Sequence, residues 1–495
     1  MTFLHPNSAG SPLFRQLAEQ ALARSAGAPL VAGNSVQVLF DAEANFAAWL
    51  HAIHHADSVV LVEMYLFAND EFGRELRDLL CRKALAGVRV YLLYDWLGCW
   101  REHYSGFFKP LLQAGAQVRV WQAPGLTRGL RLLGRDHRKL IVVDGHTAFI
   151  GGLCASSRWQ DWRDTGLRLA GPLLTDAIAA FADSWAQCGS PLQLPTLAAS
   201  QPGGDIAARL IATTPATANL MRLDLLIAGF ARERLWLTDA YFMGTSAYLT
   251  ALQHAARDGV DVRLLVPRAS DIGWIATISR TQYRPLLEAG VRVFEWNGPM
   301  VHAKTAVADQ RWARIGSTNL NLSSWLANRE IDLAIEDEGV AGIMATRFLQ
   351  DLDNATEIVL GGHRRRPVPS QPGLRHSHGR LSLRQQAAVS AAAAARQAAR
   401  IGEVLDSAVR GTRDVDDSEA SAFLSIGLVL LLLAIAIAVF PYLAALPLTL
   451  ILLLAAASVL LRAWQLYRRR RRKKQHPPPP PAPDNPPAAS TGKHD

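Results

Sequence analysis

Cysteine is scarce in this chain of 495 residues. Cys81, Cys99, Cys154 and Cys188 stand far apart, with no C-x-x-C pair and no Cys/His spacing of the kind that holds zinc. That excludes a disulfide framework and fits a reducing compartment. No cluster of metal-ligand residues stands out either, so no metal and no cofactor is called for. A broad basic surface is also lacking. The net charge is +9, but residues 468–474, five Arg and two Lys, carry seven of those charges and leave +2 for everything else. Such a block suits an anionic membrane surface; the remainder gives no footprint for nucleic acid. A secretion signal is missing too, since residues 1–34 have no basic start followed by an apolar core. Within them, residues 14–24 have the period of a short amphipathic helix, suited to packing on a domain or lying on a membrane.

What is present is a repeat. His137-Arg138-Lys139 opens an H-x-K-x4-D motif that closes at Asp144, and His302-Ala303-Lys304 opens a second that closes at Asp309. Fourteen residues past each His comes a small pair, Gly151-Gly152 in the first copy and Gly316-Ser317 in the second. One such motif is weak evidence; two with matched followers indicate an internal duplication. His and Lys two apart share a face of a strand, and the apolar run from Leu140 to Val143 reads as a buried strand. A lone His at a strand end is usually bonded to backbone, but two facing half-sites make a pocket with two His and two Lys. That set suits a phosphodiester: one His attacks phosphorus, the other protonates the leaving oxygen, and the lysines stabilise the non-bridging oxygens. The small residues would let backbone N–H groups approach the ligand. Asp144 and Asp309, at strand ends, are either part of this chemistry or structural anchors for loop N–H groups.

On these motifs the chain resembles the phospholipase D superfamily, and on the wider pattern its bacterial cardiolipin synthase branch. The second copy continues Gly316-Ser317-Thr318-Asn319 and reaches Asn328-Arg329-Glu330, as that family does; the first has Cys154 where the family usually has Asn. The resemblance spans roughly residues 35–360. It implies two duplicated α/β/α sandwich halves forming a pseudo-dimer, and a metal-independent reaction through a phosphohistidine. It implies His137 as nucleophile and His302 as general acid, a substrate contact at Asn319, and carboxylates at Asp164 and Glu330 that orient the histidines. These lie 27 and 28 residues past their motif His.

The chain in order supports a duplicated α/β fold. Residues 36–40, 58–67, 88–93 and 116–121 read as strands, with helices at 42–55, 72–86 and 108–114 between them, which predicts a mainly parallel sheet covered on both faces. Glu63, charged within an apolar strand, is expected to face the site. Residues 234–242, 258–262 and 289–293 echo the first half, with Tyr241 matching Tyr65. The expected divisions are an extension over 1–34, a first half over 35–190, a linker over 191–205, a second half over 206–360, a basic and Ala-rich linker over 361–420, a transmembrane hairpin over 421–463, and a basic then Pro-rich tail over 464–495. Residues 422–440 and 443–461 are uncharged and each near the length of about 20 that spans a bilayer. The basic block that follows predicts a cytoplasmic end, and a hairpin returns to its starting side, so the catalytic part is expected at the cytoplasmic face of a bacterial inner membrane. Residues 123–135, basic and leucine-rich just before His137, suit a lipid interface or an ordinary solvated loop.

Phospholipid substrates and transfer of a phosphatidyl group follow from the resemblance together with the anchor. Two phosphatidylglycerols would give cardiolipin and glycerol. Hydrolysis to phosphatidic acid by the same mechanism is the main alternative. A nuclease fits the charge distribution poorly, and a degenerate-site scaffold fits two complete motifs poorly.

Overall fold

Residues 12–123, 134–194 and 202–360 are described by the computed structural model, all within one folded unit. The chain opens with helix α1 (Pro12–Ala26). The first half then runs β1 (Val31–Phe40), α2 (Asp41–His54), β2 (Val59–Met64), α3 (Glu71–Leu85), β3 (Arg89–Asp95), α4 (Trp100–Ser105), α5 (Lys109–Gln113), β4 (Gln117–Trp121), β5 (Lys139–Val143), β6 (Thr147–Gly151), β7 (Thr165–Ala170) and α6 (Leu174–Gln187). The second half follows with β8 (Ile206–Thr213), α7 (Asn219–Phe230), β9 (Arg234–Thr238), α8 (Ser246–Arg257), β10 (Asp261–Pro267), α9 (Gly273–Thr281), α10 (Tyr283–Glu288), β11 (Arg292–Trp296), β12 (Thr305–Ala308), β13 (Trp312–Gly316), α11 (Leu322–Leu326), β14 (Glu330–Glu336), α12 (Glu338–Asp353) and β15 (Ala355–Ile358).

Strand order is β1-β7-β6-β5-β2-β3-β4 in the first half and β8-β14-β13-β12-β9-β10-β11-β15 in the second, so the halves share one topology. They join where β1 pairs antiparallel with β8, across an irregularity between Val31 and Asn34. The expectation of a mainly parallel sheet is corrected. Among the strands of the described residues, only β2-β3-β4 and β9-β10-β11 pair in parallel, and the remaining strand pairs are antiparallel. Helical crossovers supply the parallel strands, whereas each motif strand turns straight back through a three-residue turn. In β5–β6 the turn is Asp144, Gly145 and His146, the first two at positive φ. In β12–β13 it is Asp309, Gln310 and Arg311, again with the first two positive.

Three cores follow from the alternation of side chains. One lies between the halves, where inward residues of both sheets meet α6 and α12. On α6 the buried face is Leu174, Ala177, Phe181 and Trp185, at helical spacing; each large apolar side chain so buried is worth about 1.5–3 kcal/mol. The other two cores cover the outer faces, under α2 and α3 in the first half and under α7, α8 and α10 in the second. The helix read at 14–24 is α1, and its Leu22 and Ala26 are buried with α7 residues in the second outer core. No disulfide links the four cysteines. Among the described residues no helix is long and apolar enough to cross a membrane. The expected hairpin and most of the basic leucine-rich stretch (124–133) lie outside the described residues.

Glu63 is a second correction. It is fully buried in β2 and pairs in register with Leu140, which faces the core between the halves, so it points away from the cavity side. There it sits 3.7 Å from Arg138 and beside Asp136, whose carboxyl is pushed well above its usual range, first by burial and then by Glu63. Register between β2 and β5 decides this parity.

Candidate active site

Two cross-half contacts build the site. The backbone before His137 lies beside that before Glu330: His137 N–H donates to Arg329 O at 2.9 Å and Arg329 N–H to Arg135 O at 2.8 Å. Likewise Arg163 N–H donates to Met300 O at 2.9 Å and His302 N–H to Arg163 O at 2.7 Å. The arginine in each of these segments is clamped to a helix of the other half. Arg163 bonds Asp351 of α12 at 2.9 Å, and Arg329 bonds Ser184 of α6 at 3.0 Å and also Asp183.

The result is an exchange of carboxylates. His137 Nδ1 lies 2.9 and 3.0 Å from the two oxygens of Glu330, and His302 Nδ1 lies 2.7 Å from Asp164 Oδ2. Each histidine is therefore oriented by the acid of the opposite half, with Nδ1 occupied and Nε2 left for a substrate. Each carboxylate is itself held. Glu330 accepts from Ser317 Oγ at 2.6 Å and Asn328 Nδ2 at 3.1 Å; Asp164 accepts from Trp159 Nε1 at 2.8 Å and Thr165 N at 2.7 Å.

His137, Lys139, His302, Asn319 and Cys154 line one cavity of about 330 Å³. Its aromatic walls are Tyr65, 4.8 Å from the His137 ring, with Tyr241, Trp159 and Trp162 around His302. Lys139 and His137 share a face, as the two-residue spacing predicts. Lys304 is fully buried behind the wall, with its ammonium bonded to the His302 carbonyl and 5.7 Å from the Tyr241 ring. Asn319 Oδ1 is buried without a partner.

Burial and the neighbouring lysines lower both histidines, and His302 falls to about 4. Burial also drops Lys304 to about 8 and lowers Lys139. Burial works against charge on Asp164 and Glu330, but the facing His and Lys outweigh it and both carboxyls lie below their usual range. The site thus rests as neutral imidazoles between carboxylates and ammoniums, a receptive place for one anion.

Several expected residues sit elsewhere. Asp144 accepts from the N–H groups of Asp57, Ser58 and Val59, each at 2.8 Å, and Asp309 from those of Arg232, Glu233 and Arg234. They tie the far ends of the motif hairpins to the neighbouring strand and do not line the cavity, so their catalytic reading is corrected to an anchoring one. Gly151, Gly152, Gly316 and Ser317 also lie off the cavity wall. The N–H groups of Gly152 and Ser317 are spent on Thr165 O and Ile331 O. A side chain at Gly151 would strike Gly166, at Gly152 the Asp164 carboxylate, and at Gly316 Asp332. The glycines make room for strand and carboxylate, and the Ser317 hydroxyl serves Glu330. Trp159, Trp162, Arg158 and Asp271 line the cavity without having been singled out, and Arg135, the last residue of the basic stretch before His137, lines it with them. The matched triplets Trp162-Arg163-Asp164 and Asn328-Arg329-Glu330 carried a signal for Trp162. Among the described residues no group of acidic, His and Cys side chains is arranged to hold a metal ion.

Compared with known proteins, the chain matches the family model described as cardiolipin synthase, PLD-like domain, over residues 49–178 and 228–352, one segment in each half. It is 33% identical over 342 residues to cardiolipin synthase A of Pseudomonas putida (strain W619), an alignment covering 67% of this chain and 71% of that one. With cardiolipin synthase A of Pseudomonas aeruginosa (strain LESB58) it shares 31% identity over 351 residues, covering 68% and 71%. Among solved structures, the phosphatidylserine synthase of Haemophilus influenzae superposes with a TM-score of 0.50 at 15% identity, covering 69% of this chain and 92% of that one, a likeness of fold.

Proposed function

The chain belongs to the cardiolipin synthase, PLD-like domain family, and from that premise we infer a phosphatidyltransferase that moves a phosphatidyl group from one phospholipid to the hydroxyl of another. The observation that carries the reading is the pair of histidines facing one cavity, each with Nδ1 taken by a carboxylate of the opposite half. Neutral His137 attacks phosphorus through Nε2, and the bond to the leaving alkoxide breaks as His302 gives it a proton. The anionic phosphodiester supplies the condition for that proton: negative charge beside His302 raises its pKa from the low resting value. In the second step the incoming hydroxyl gives its proton to His302 and attacks phosphorus, and His137 is released. Lys139, with Lys304 behind it, offsets charge on the non-bridging oxygens.

A cavity of about 330 Å³ holds a phosphodiester and its headgroup, leaving the acyl chains outside. That suits an enzyme working at a membrane surface, and the uncharged runs at 422–440 and 443–461 with the basic block behind them serve as its anchor, with the catalytic halves on the cytoplasmic side. The test is product analysis of the full chain given labelled phosphatidylglycerol in mixed micelles. Cardiolipin with released glycerol is the expected result. Phosphatidic acid as the main product would make water the acceptor and overturn transfer.

A further inference from the structure

The two walls of the cavity are chemically unequal. On the first-half side stand Arg135 and Arg158, and among the described residues neither guanidinium has a carboxylate within ion-pair distance. On the second-half side stands Asp271, which accepts a 2.7 Å hydrogen bond from Tyr241 Oη. The asymmetry is written into the duplication. Counted from the motif His, the partner position of Arg135 is Met300 and that of Arg158 is Ser323. Arg158 stands 5.9 Å over the Trp162 ring, a contact that leaves its charge uncompensated, and two guanidiniums without a carboxylate among the described residues, beside a cavity that already has Lys139 for one phosphate, offer a place for a second anion.

We propose that Arg135 and Arg158 form a subsite for the phosphodiester of the acceptor lipid, the one that does not react. This rests on the transfer reading above. An acceptor phosphatidylglycerol attacks with a hydroxyl only a glycerol's length from its own phosphate, so that second charge arrives close to the reacting phosphorus and needs a cation there. Asp271 on the opposite wall repels it, which fixes the side from which the acceptor enters. Water and free glycerol carry no phosphate and make no use of the subsite.

The experiment uses the full chain in micelles of phosphatidylglycerol with deuterated free glycerol added. Cardiolipin formation reports the lipid acceptor. Incorporation of deuterated glycerol into phosphatidylglycerol reports the same phosphohistidine with an acceptor that has no phosphate, and also that the protein is folded. Arg158→Gln, on the exposed turn at 157–161, is the cleaner variant; Arg135→Gln is the second, because the Arg135 backbone also holds the seam. Each is expected to lower cardiolipin formation about tenfold, the scale of one charge-assisted contact, while glycerol exchange stays within about twofold and Arg158→Lys keeps most of both. Equal loss of both products would place the arginines on the donor phosphate or the membrane, and no loss would remove the subsite; either overturns the proposal. Wild-type protein that exchanges glycerol but makes no cardiolipin would overturn the transfer reading as well, and is told apart by that lane alone.

Discussion

The two half-sites carry the same motif and solve its support differently. In the second half Ser317 and Asn328 hold Glu330, which grips His137 with both oxygens. In the first, Gly152 occupies the place of Ser317 and gives no donor, and the indole of Trp159 supplies the missing hydrogen bond to Asp164. Asn319 faces the cavity in one half and Cys154 in the other. His302, packed against both Trp159 and Trp162, is depressed to about 4. A duplicated site needs the same two imidazoles at one phosphorus, but not the same scaffold behind them. Once each half lends its carboxylate to the other, the supports are free to diverge.

The largest effects come from breaking the pair itself. His137→Ala and His302→Ala are each expected to lower turnover by about 10⁴-fold or more, with the circular dichroism spectrum unchanged. Substantial activity in either would end the two-histidine scheme. A nitrophenyl phosphodiester, whose leaving group needs no proton, should restore part of the turnover to His302→Ala and none to His137→Ala; the opposite pattern exchanges their roles. Next come the carboxylates. Glu330→Gln and Asp164→Asn should each cost about 10–100-fold, and Glu330→Gln should alter His137, not His302, in a titration followed by NMR. An Asn319→Ala variant is expected to lose about tenfold, since its amide reaches into the cavity, while Cys154→Ala loses less than about threefold. Burial raises the Cys154 thiol and keeps it neutral, so it has little to offer an anion; a large loss at Cys154 would make the two halves functionally alike.

Proton uptake sharpens the contrast between the histidines. Soluble glycerophosphoglycerol keeps one negative charge across the neutral range. Its binding at pH 6 should draw up to one proton, because His302 rests near 4 and the bound anion raises it. Calorimetry in two buffers of different ionisation enthalpy measures this, and His302→Gln should abolish it. Above about pH 8 the affinity should fall, by up to about tenfold per unit, as Lys304 sheds the proton that holds its charge. The sign follows from a depressed ammonium: its charge is present below its pKa and lost above.

Much of this site could be read from residue spacing, and the failures have a common cause. The two-residue step from His137 to Lys139 determines a shared strand face without any tertiary knowledge. The helix–strand alternation over residues 36–121 likewise gave the parallel β2-β3-β4 unit. Pairing between distant segments is not carried by spacing. Asp164 follows His137 at nearly the interval by which Glu330 follows His302, 27 against 28 residues, which suits either own-half or exchanged carboxylates; only the seam contacts of Arg163 and Arg329 choose. Glu63 failed for the same reason, since the register of β2 on β5 determines its face. Gly152 was assigned to a ligand when its neighbour is the Asp164 carboxylate, twelve residues further on. The hairpin turn Asp144-Gly145 was a local signal for antiparallel pairing and was passed over.

The smallest effect separates the anchoring aspartates from the chemistry. Asp144→Ala and Asp309→Ala each remove the acceptor for three backbone N–H groups and the residue type that tolerates a left-handed turn. Each should cost about 1–3 kcal/mol in denaturant unfolding, with kcat per folded molecule within about twofold. Asp309→Ala should be the more damaging. The first hairpin follows its aspartate with Gly145, which takes positive φ freely, whereas the second follows with Gln310, which must be held there by what surrounds it. Changing Gly145 to Gln puts the first turn in the state of the second and should cost about 1 kcal/mol. A variant of either aspartate that stays folded yet loses more than tenfold in kcat would return these residues to the catalytic machinery and undo the distinction between the two ends of the motif strands.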